Sequence, residues 1–141
     1  MIGKQQKDYT CGPAAVQFLL FAHGYSPASP ASPASQNFLE IVLGTTEAEG
    51  TKPERIEAYF AQCGEPFEAK REWDLGLAPL PLLVNYFDGE DGHYAVIVAV
   101  NDTCLYLWDP ADGRYVLSGR ADFEKNWWSP RYGRGWGLCL R

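Results

Sequence analysis

The 141-residue chain reads as an α+β domain. Three observations predict this class. Helix start and stop signals are confined to the first half, apolar runs of strand length separated by turn sequences fill the second, and the two kinds do not alternate as a doubly wound sheet requires. A single domain over residues 1–141 is expected, with a helical half over about 1–78 and an antiparallel β-sheet half over about 79–141.

Residues 11–23 read as the first helix. Thr10 is placed to cap it, Pro13 falls in the first turn where its missing N–H costs nothing, and Gly24 stops it. The segment is apolar nearly all round, with Gln17 as the break, so a central, buried position is expected. "SPASPASPAS" at 26–35 repeats small residues and proline and can neither form a helix nor fill a core. A surface excursion is expected there. "FLEIVL" reads as a short helix or strand. In "TKPERIEAYFAQCG", Thr51 and Glu54 match a capping box, Ile56, Tyr59, Phe60 and Cys63 form one apolar stripe, and Gly64 ends the helix. From about Leu80 the pattern is "PLLVNYF", the turn "DGEDG", "HYAVIVAV", the turn "NDT", and "CLYLWDP". "GRYVL" continues the sheet, a short helix is expected around 123–128, and "GWGLCL" forms a last strand. In this aromatic end, Phe123, Trp127 and Trp136 are expected to cap the sheet as core.

Composition removes several function classes. A formal net charge of −6 and a pI near 4.8 argue against a binder of nucleic acid or of anionic membranes. The longest apolar runs are about seven residues, against roughly 20 for a membrane span. "MIGKQQKDY" lacks the apolar centre of a secretory signal, so the chain is expected to be cytoplasmic or the mature part of a longer precursor. The four cysteines Cys11, Cys63, Cys104 and Cys139 show no C-x-x-C spacing and no neighbouring histidine, which disfavours zinc. Cys63, Cys104 and Cys139 are expected to be small buried apolar side chains. No metal or cofactor is implied.

Cys11 is different because it opens a helix, where unpaired N–H groups and the positive end of the dipole stabilise a thiolate, the nucleophilic form. A thiolate nucleophile needs a base. Of the two histidines, His23 stands at the far end of the same helix, about 18 Å along the axis, and fits a polar last turn. His93, at the start of "HYAVIVAV", is the base by elimination. Its second nitrogen needs an acceptor. With a three-residue turn at 101–103, Val100 faces Cys104, Ala95 faces Asp109, and Asp109 becomes the diagonal neighbour of His93. A two-residue turn would put Asp109 on the wrong face. Asp112 and Asp102 fit turn roles better. An oxyanion needs donors too: the Cys11 N–H and an upstream amide, Gln5 or Gln6. Asp88, Glu90 and Asp91 near His93 could hold it protonated or attract a basic substrate, but a hydrophilic hairpin turn accounts for them.

Gln5, followed by "DYTCGPAA" and an apolar helix ending in Gly24, resembles the opening of papain-like cysteine peptidases of the bacteriocin-processing, double-glycine leader type. So do "GHYAVIVAV", "LYLWDPADG" and, in the middle, "GTKPERIEAYFAQCG". The resemblance covers most of the chain and implies a papain-like fold. It implies Cys11 as nucleophile, His93 as general base and acid, Asp109 as its orienter, and Gln5, six residues before the cysteine, as oxyanion donor. The chain departs from the family's pattern in carrying Thr10 directly before the cysteine where many members have aspartate. It also lacks the transporter segment that such peptidases usually precede, so any transporter partner would be a separate chain. The implied activity is cleavage of a leader or precursor peptide after small residues. A non-catalytic peptide-docking domain, and a transpeptidase using the same four residues, are the alternatives.

Overall fold

The computed structural model describes residues 4–24, 35–89, 92–129 and 133–141. Most of the Ser-Pro-Ala repeat, and Glu90 and Asp91 of the acidic turn, lie outside the described residues.

Three helices come first: α1 (Cys11–Ala22), α2 (Gln36–Val42) and α3 (Pro53–Cys63). The strands β1 (Phe67–Lys70), β2 (Leu82–Phe87), β3 (Gly92–Val100), β4 (Cys104–Asp109) and β5 (Arg114–Gly119) follow. A short helix α4 (Arg120–Asn126), a two-residue pair β6 (Trp128–Ser129) and β7 (Gly133–Arg134), and β8 (Gly137–Leu140) complete the chain. Six strands make one antiparallel sheet in the order β1-β8-β2-β3-β4-β5. No helix among the described residues is long and apolar enough to cross a membrane.

The strands read as near-continuous apolar runs because the sheet is covered on both faces. Leu83, Tyr94, Val96, Trp108 and Leu138 pack with α1, α2 and α3, and Phe18 of α1 stacks flat on Trp108 at 4.4 Å. The alternating residues Leu82, Val84, Ala95, Ile97, Leu105, Leu107 and Cys139 pack with Phe123 and Trp127 on the other side. Phe123, Trp127 and Trp136 are all buried, as expected.

Several local expectations are corrected. The first half is not purely helical, since β1 lies within it and pairs with β8 at the other end of the chain. Thr10 holds the N-cap position of α1, but its side chain makes no capping bond. It bridges the N–H and C=O of Lys7 at 3.0 Å each, folding the loop before the helix. Thr51 does not form a capping box either. Lys52 is the N-cap of α3, and the Thr51 hydroxyl is shared with that of Thr45 at 2.6 Å. Of the three cysteines expected to be buried, only Cys139 is; Cys63 is exposed and Cys104 half-buried.

The β3-β4 hairpin also departs from the expected register. Asn101 N–H donates to Cys104 C=O at 2.9 Å, and Asn101 Oδ1 accepts from the N–H groups of Thr103 and Cys104. These bonds close a two-residue turn over Asp102 and Thr103, so Val100 pairs with Leu105 and not with Cys104. Between Ile97 and Ala99 the ladder shifts by one residue, with Val98 as the extra member of a β-bulge. Beyond it Ile97 faces Leu107 and Val96 faces Trp108. The next step of that register puts Ala95 opposite Asp109, the arrangement expected from a three-residue turn. The bulge compensates for the shorter turn.

Candidate active site

Cys11 begins α1, whose first turn carries no acidic residue and no side-chain cap. With Thr10 turned back to Lys7, the N–H groups of that turn stay directed at the space in front of the helix. Gly12 is required by a close approach: a Cβ there would lie 2.3 Å from Thr51 Oγ1 and 2.6 Å from Thr51 Cβ. Thr51 is held in turn by Thr45 and by Tyr94, whose hydroxyl donates to the Thr51 carbonyl at 2.6 Å. The start of the helix is therefore wedged between the turn at 46–51 and the sheet.

His93 stands near the start of β3. Its Nε2 lies 2.7 Å from Asp109 Oδ1, with both side chains mostly buried. Asp109 Oδ1 also accepts from the N–H of Ala111 at 2.9 Å, which fixes the carboxylate. Nδ1 is the ring nitrogen left for Cys11, whose side chain hydrogen-bonds the imidazole. Burial works against a charge on His93, but the hydrogen bonds to Asp109 and Cys11 and the attraction of both outweigh it, raising its pKa from 6.5 to about 10. Burial pushes the Asp109 carboxyl up, yet its bonds to His93 and Ala111 prevail and hold it below its ordinary value. His93 is thus stabilised as imidazolium against a carboxylate.

Gln5 is anchored beside this pair. Its backbone N–H donates to Pro110 C=O at 2.7 Å, directly after Asp109. Its side-chain Nε2 donates to the carbonyls of Lys7 (2.7 Å) and Asp8 (3.0 Å), which occupies both amide hydrogens. Its Oε1 is buried and unpaired. The structure thus brings Cys11, His93 and Asp109 together, and sets Gln5 against the loop leading to Cys11 with its donors engaged. His23 caps the far end of α1, and Asp112 pairs with Arg114 at 3.6 Å in the exposed turn.

Two residues near the site escape sequence reading. Gln36, only 6% exposed at the start of α2, accepts from Gln6 N–H at 3.1 Å and donates to the Lys4 carbonyl at 3.1 Å. This two-point clamp holds the main chain on either side of Gln5. Nothing local marks it, since the partners are some thirty residues away. Tyr86, opposite His93 across β2 and β3, sets its ring edge-on to the imidazole at 5.6 Å and packs on Phe123. Burial, then the negative charges of Asp109, Asp88 and Cys11, push its hydroxyl well above its ordinary pKa. Only its register position opposite His93 signals it.

Cys11 and His93 line one cleft of about 580 Å³, walled by Lys7, Asp8 and Tyr9, by the turn at 47–51, and by Asn85, Asp88 and Tyr94. Gln5 is not in its lining. A half-buried thiol beside an imidazole, itself held by a carboxylate, in an open cleft at a helix N-terminus can perform nucleophilic acyl transfer.

Residues 1–129 match the model of the Peptidase C39 family. The chain belongs to the peptidase C39 family. No curated protein is significantly similar to it in sequence. Among solved structures, it is similar to the peptidase domain of Streptococcus ComA, described as a bi-functional ABC transporter involved in quorum sensing. That match has a TM-score of 0.78 and 19% identity, covering 98% of this chain and 95% of the other. A double glycine motif protease from an AMS/PCAT transporter, solved with its leader peptide, matches at a TM-score of 0.73 and 16% identity, over 97% and 87% of the two chains. The peptidase domain of Streptococcus mutans ComA matches at 0.68 and 18%, over 99% and 97%. At these identities the likeness speaks for the fold, which is that of papain-like C39 peptidase domains.

Proposed function

We propose that this C39 family member is a thiol peptidase that cleaves a leader or precursor peptide after small residues, in the cytoplasm and in partnership with a transporter. The observation that carries the reading is the line of three groups, Cys11 thiol, His93 imidazole and Asp109 carboxylate, with the first two facing one cleft. The double-glycine protease among its structural neighbours supports the choice of substrate.

In this mechanism the Cys11 proton already resides on His93 as imidazolium, and the thiolate attacks the scissile carbonyl carbon. The oxyanion is held by the Cys11 N–H and by Gln5, which must first release the Lys7 or Asp8 carbonyl. Exchanging one such bond for one to a developing charge is favourable, since hydrogen bonds to charged groups are worth about 1.5–3 kcal/mol against about 1 for neutral ones. The tetrahedral intermediate collapses as His93 gives its proton to the departing amine. Water, deprotonated by His93, then attacks the thioester and releases the acid, which restores the Cys11 thiolate beside the His93 imidazolium.

The test is cleavage of a synthetic peptide containing Gly-Gly, followed by mass spectrometry. Two products whose masses sum to the substrate plus one water are expected, with loss of cleavage in Cys11→Ala and at least about a 100-fold loss in His93→Ala. Cleavage that persists in Cys11→Ala would overturn the reading.

A further inference from the structure

We propose that the cleft selects peptides carrying a lysine or arginine side chain close to the scissile bond, an inference that rests on the peptidase reading for the identity of the cleft. Two independent observations lead to it. The first is charge. Asp8 from the loop before α1, Glu47 and Glu49 from the turn before α3, and Asp88 at the end of β2 all line the cleft with Cys11 and His93. They come from three separate segments, so the convergence is a property of the fold and not of one hydrophilic hairpin. Lys7 is the one lysine or arginine among the described lining residues, and both oxygens of Glu40, outside the cleft, lie 3.1 Å from its ammonium group. Lys52 likewise offsets Glu49 at 3.1 Å. Asp8 and Glu47 still leave the walls acidic.

The second observation is at the floor. Asn85 is 2% exposed, lines the cleft beside Tyr94, and has its Oδ1 buried with no hydrogen-bond partner. An unpaired carbonyl oxygen costs free energy that a donor would recover. Gly92, next to His93 and also in the lining, leaves room beside this buried oxygen: a Cβ there would stand 2.6 Å from Asn85 Oδ1 and 3.0 Å from Ser129 Oγ. The floor thus offers an acceptor and the walls offer negative charge. A side chain that is both a hydrogen-bond donor and a cation satisfies both, and lysine and arginine are such side chains. Acceptor-only glutamate and aspartate side chains are repelled on both counts.

The experiment uses the Cys11→Ala chain, which keeps the cleft but cannot turn over, and a fluorescein-labelled peptide set. Each peptide carries Gly-Gly, with one position at a time on either side set to Lys, Ala or Glu. Anisotropy titrations at 50 mM salt should show, for at least one position, Lys binding roughly tenfold tighter than Ala and Glu weaker than both. The preference should shrink as salt rises and the Debye length falls to a few ångströms. It should also shrink in Asp8→Asn and in Glu47→Gln, two surface changes tested separately. Equal affinity of Lys, Ala and Glu peptides at every position, absence of binding by all of them, or a preference indifferent to salt would overturn the inference. Cleavage of the same peptides by the unaltered chain keeps the two readings apart. Cleavage without charge preference sinks the basic-substrate inference alone, whereas charge-selective binding without cleavage sinks the peptidase reading alone.

Discussion

Replacing Asp109 by asparagine should lower the pKa of His93 and, with it, the peptidase rate. Burial alone would place His93 below 6.5, so Asp109 and Cys11 together carry it across more than the interval up to about 10. Asp109, 2.7 Å away, is the leading favourable contact, and losing its charge should bring the pKa of the ring down from about 10. The protonated fraction of the imidazole at pH 9 should fall accordingly. The assay is a proton NMR titration of the ring signals, which are few because the chain has two histidines, and His23 at the far end of α1 provides the reference. The rate kcat/KM should fall about 10²- to 10⁴-fold, the range for a compromised general acid and base. A parallel denaturation series checks the linkage. Because the folded pKa of His93 is raised, its contribution to stability is complete below 6.5 and is lost as pH rises through about 10. Because that of Asp109 is lowered, its contribution is present above 3.8 and is lost as pH falls through the lower folded value. The stability gap between the natural chain and Asp109→Asn should therefore be widest between 3.8 and 6.5 and close toward pH 10. An asparagine variant whose His93 still titrates near 10 would refute the reasoning.

Three further outcomes are expected. Gly12→Ala should destabilise the fold by about 1–3 kcal/mol in urea denaturation, because its Cβ meets the pinned Thr51, and Thr51→Gly should restore part of the loss. Gln36→Leu should lower kcat with little change in KM and speed amide exchange at Gln6, while Gln36→Glu, which keeps an acceptor but loses the donor to Lys4, should fall between. Trp108→Ala, which removes the ring stacked on Phe18 in the core, should cost about 3–5 kcal/mol by the same denaturation measurement.

What could be read from the chain without coordinates was what local chemistry decides. Cys11 ahead of Gly-Pro and an apolar helix, and the near-continuous apolar runs of β2, β3 and β4, carry their own signals. His93 stood out because only two histidines exist. Side-chain oxygens were less legible. Thr10 and Thr51 both sit where a helix cap is expected, yet each found a better partner, Lys7 in one case and Thr45 in the other. Propensity cannot rank such competitors. β1 was missed because "FEAK" has too few residues to show a period and its partner β8 lies about seventy residues on. Gln36 was invisible for the same reason: its role depends on a main chain brought to it by folding. Cys63 belongs to the apolar stripe of α3, but the stripe's last position extends past what β1 and the core cover, leaving the thiol exposed.

The bulge at Val98 has a consequence for comparing this chain with its relatives. What the fold must conserve in the β3-β4 hairpin is a parity: turn length and bulge count together decide whether His93 and Asp109 meet. A relative with one residue more in the turn and an unbroken ladder would present the same pair. Sequences of equal length here can thus carry the extra residue in the strand or in the turn and be functionally equivalent, and aligning them by structure takes a gap in the middle of a strand, at Val98, matched by one in the turn.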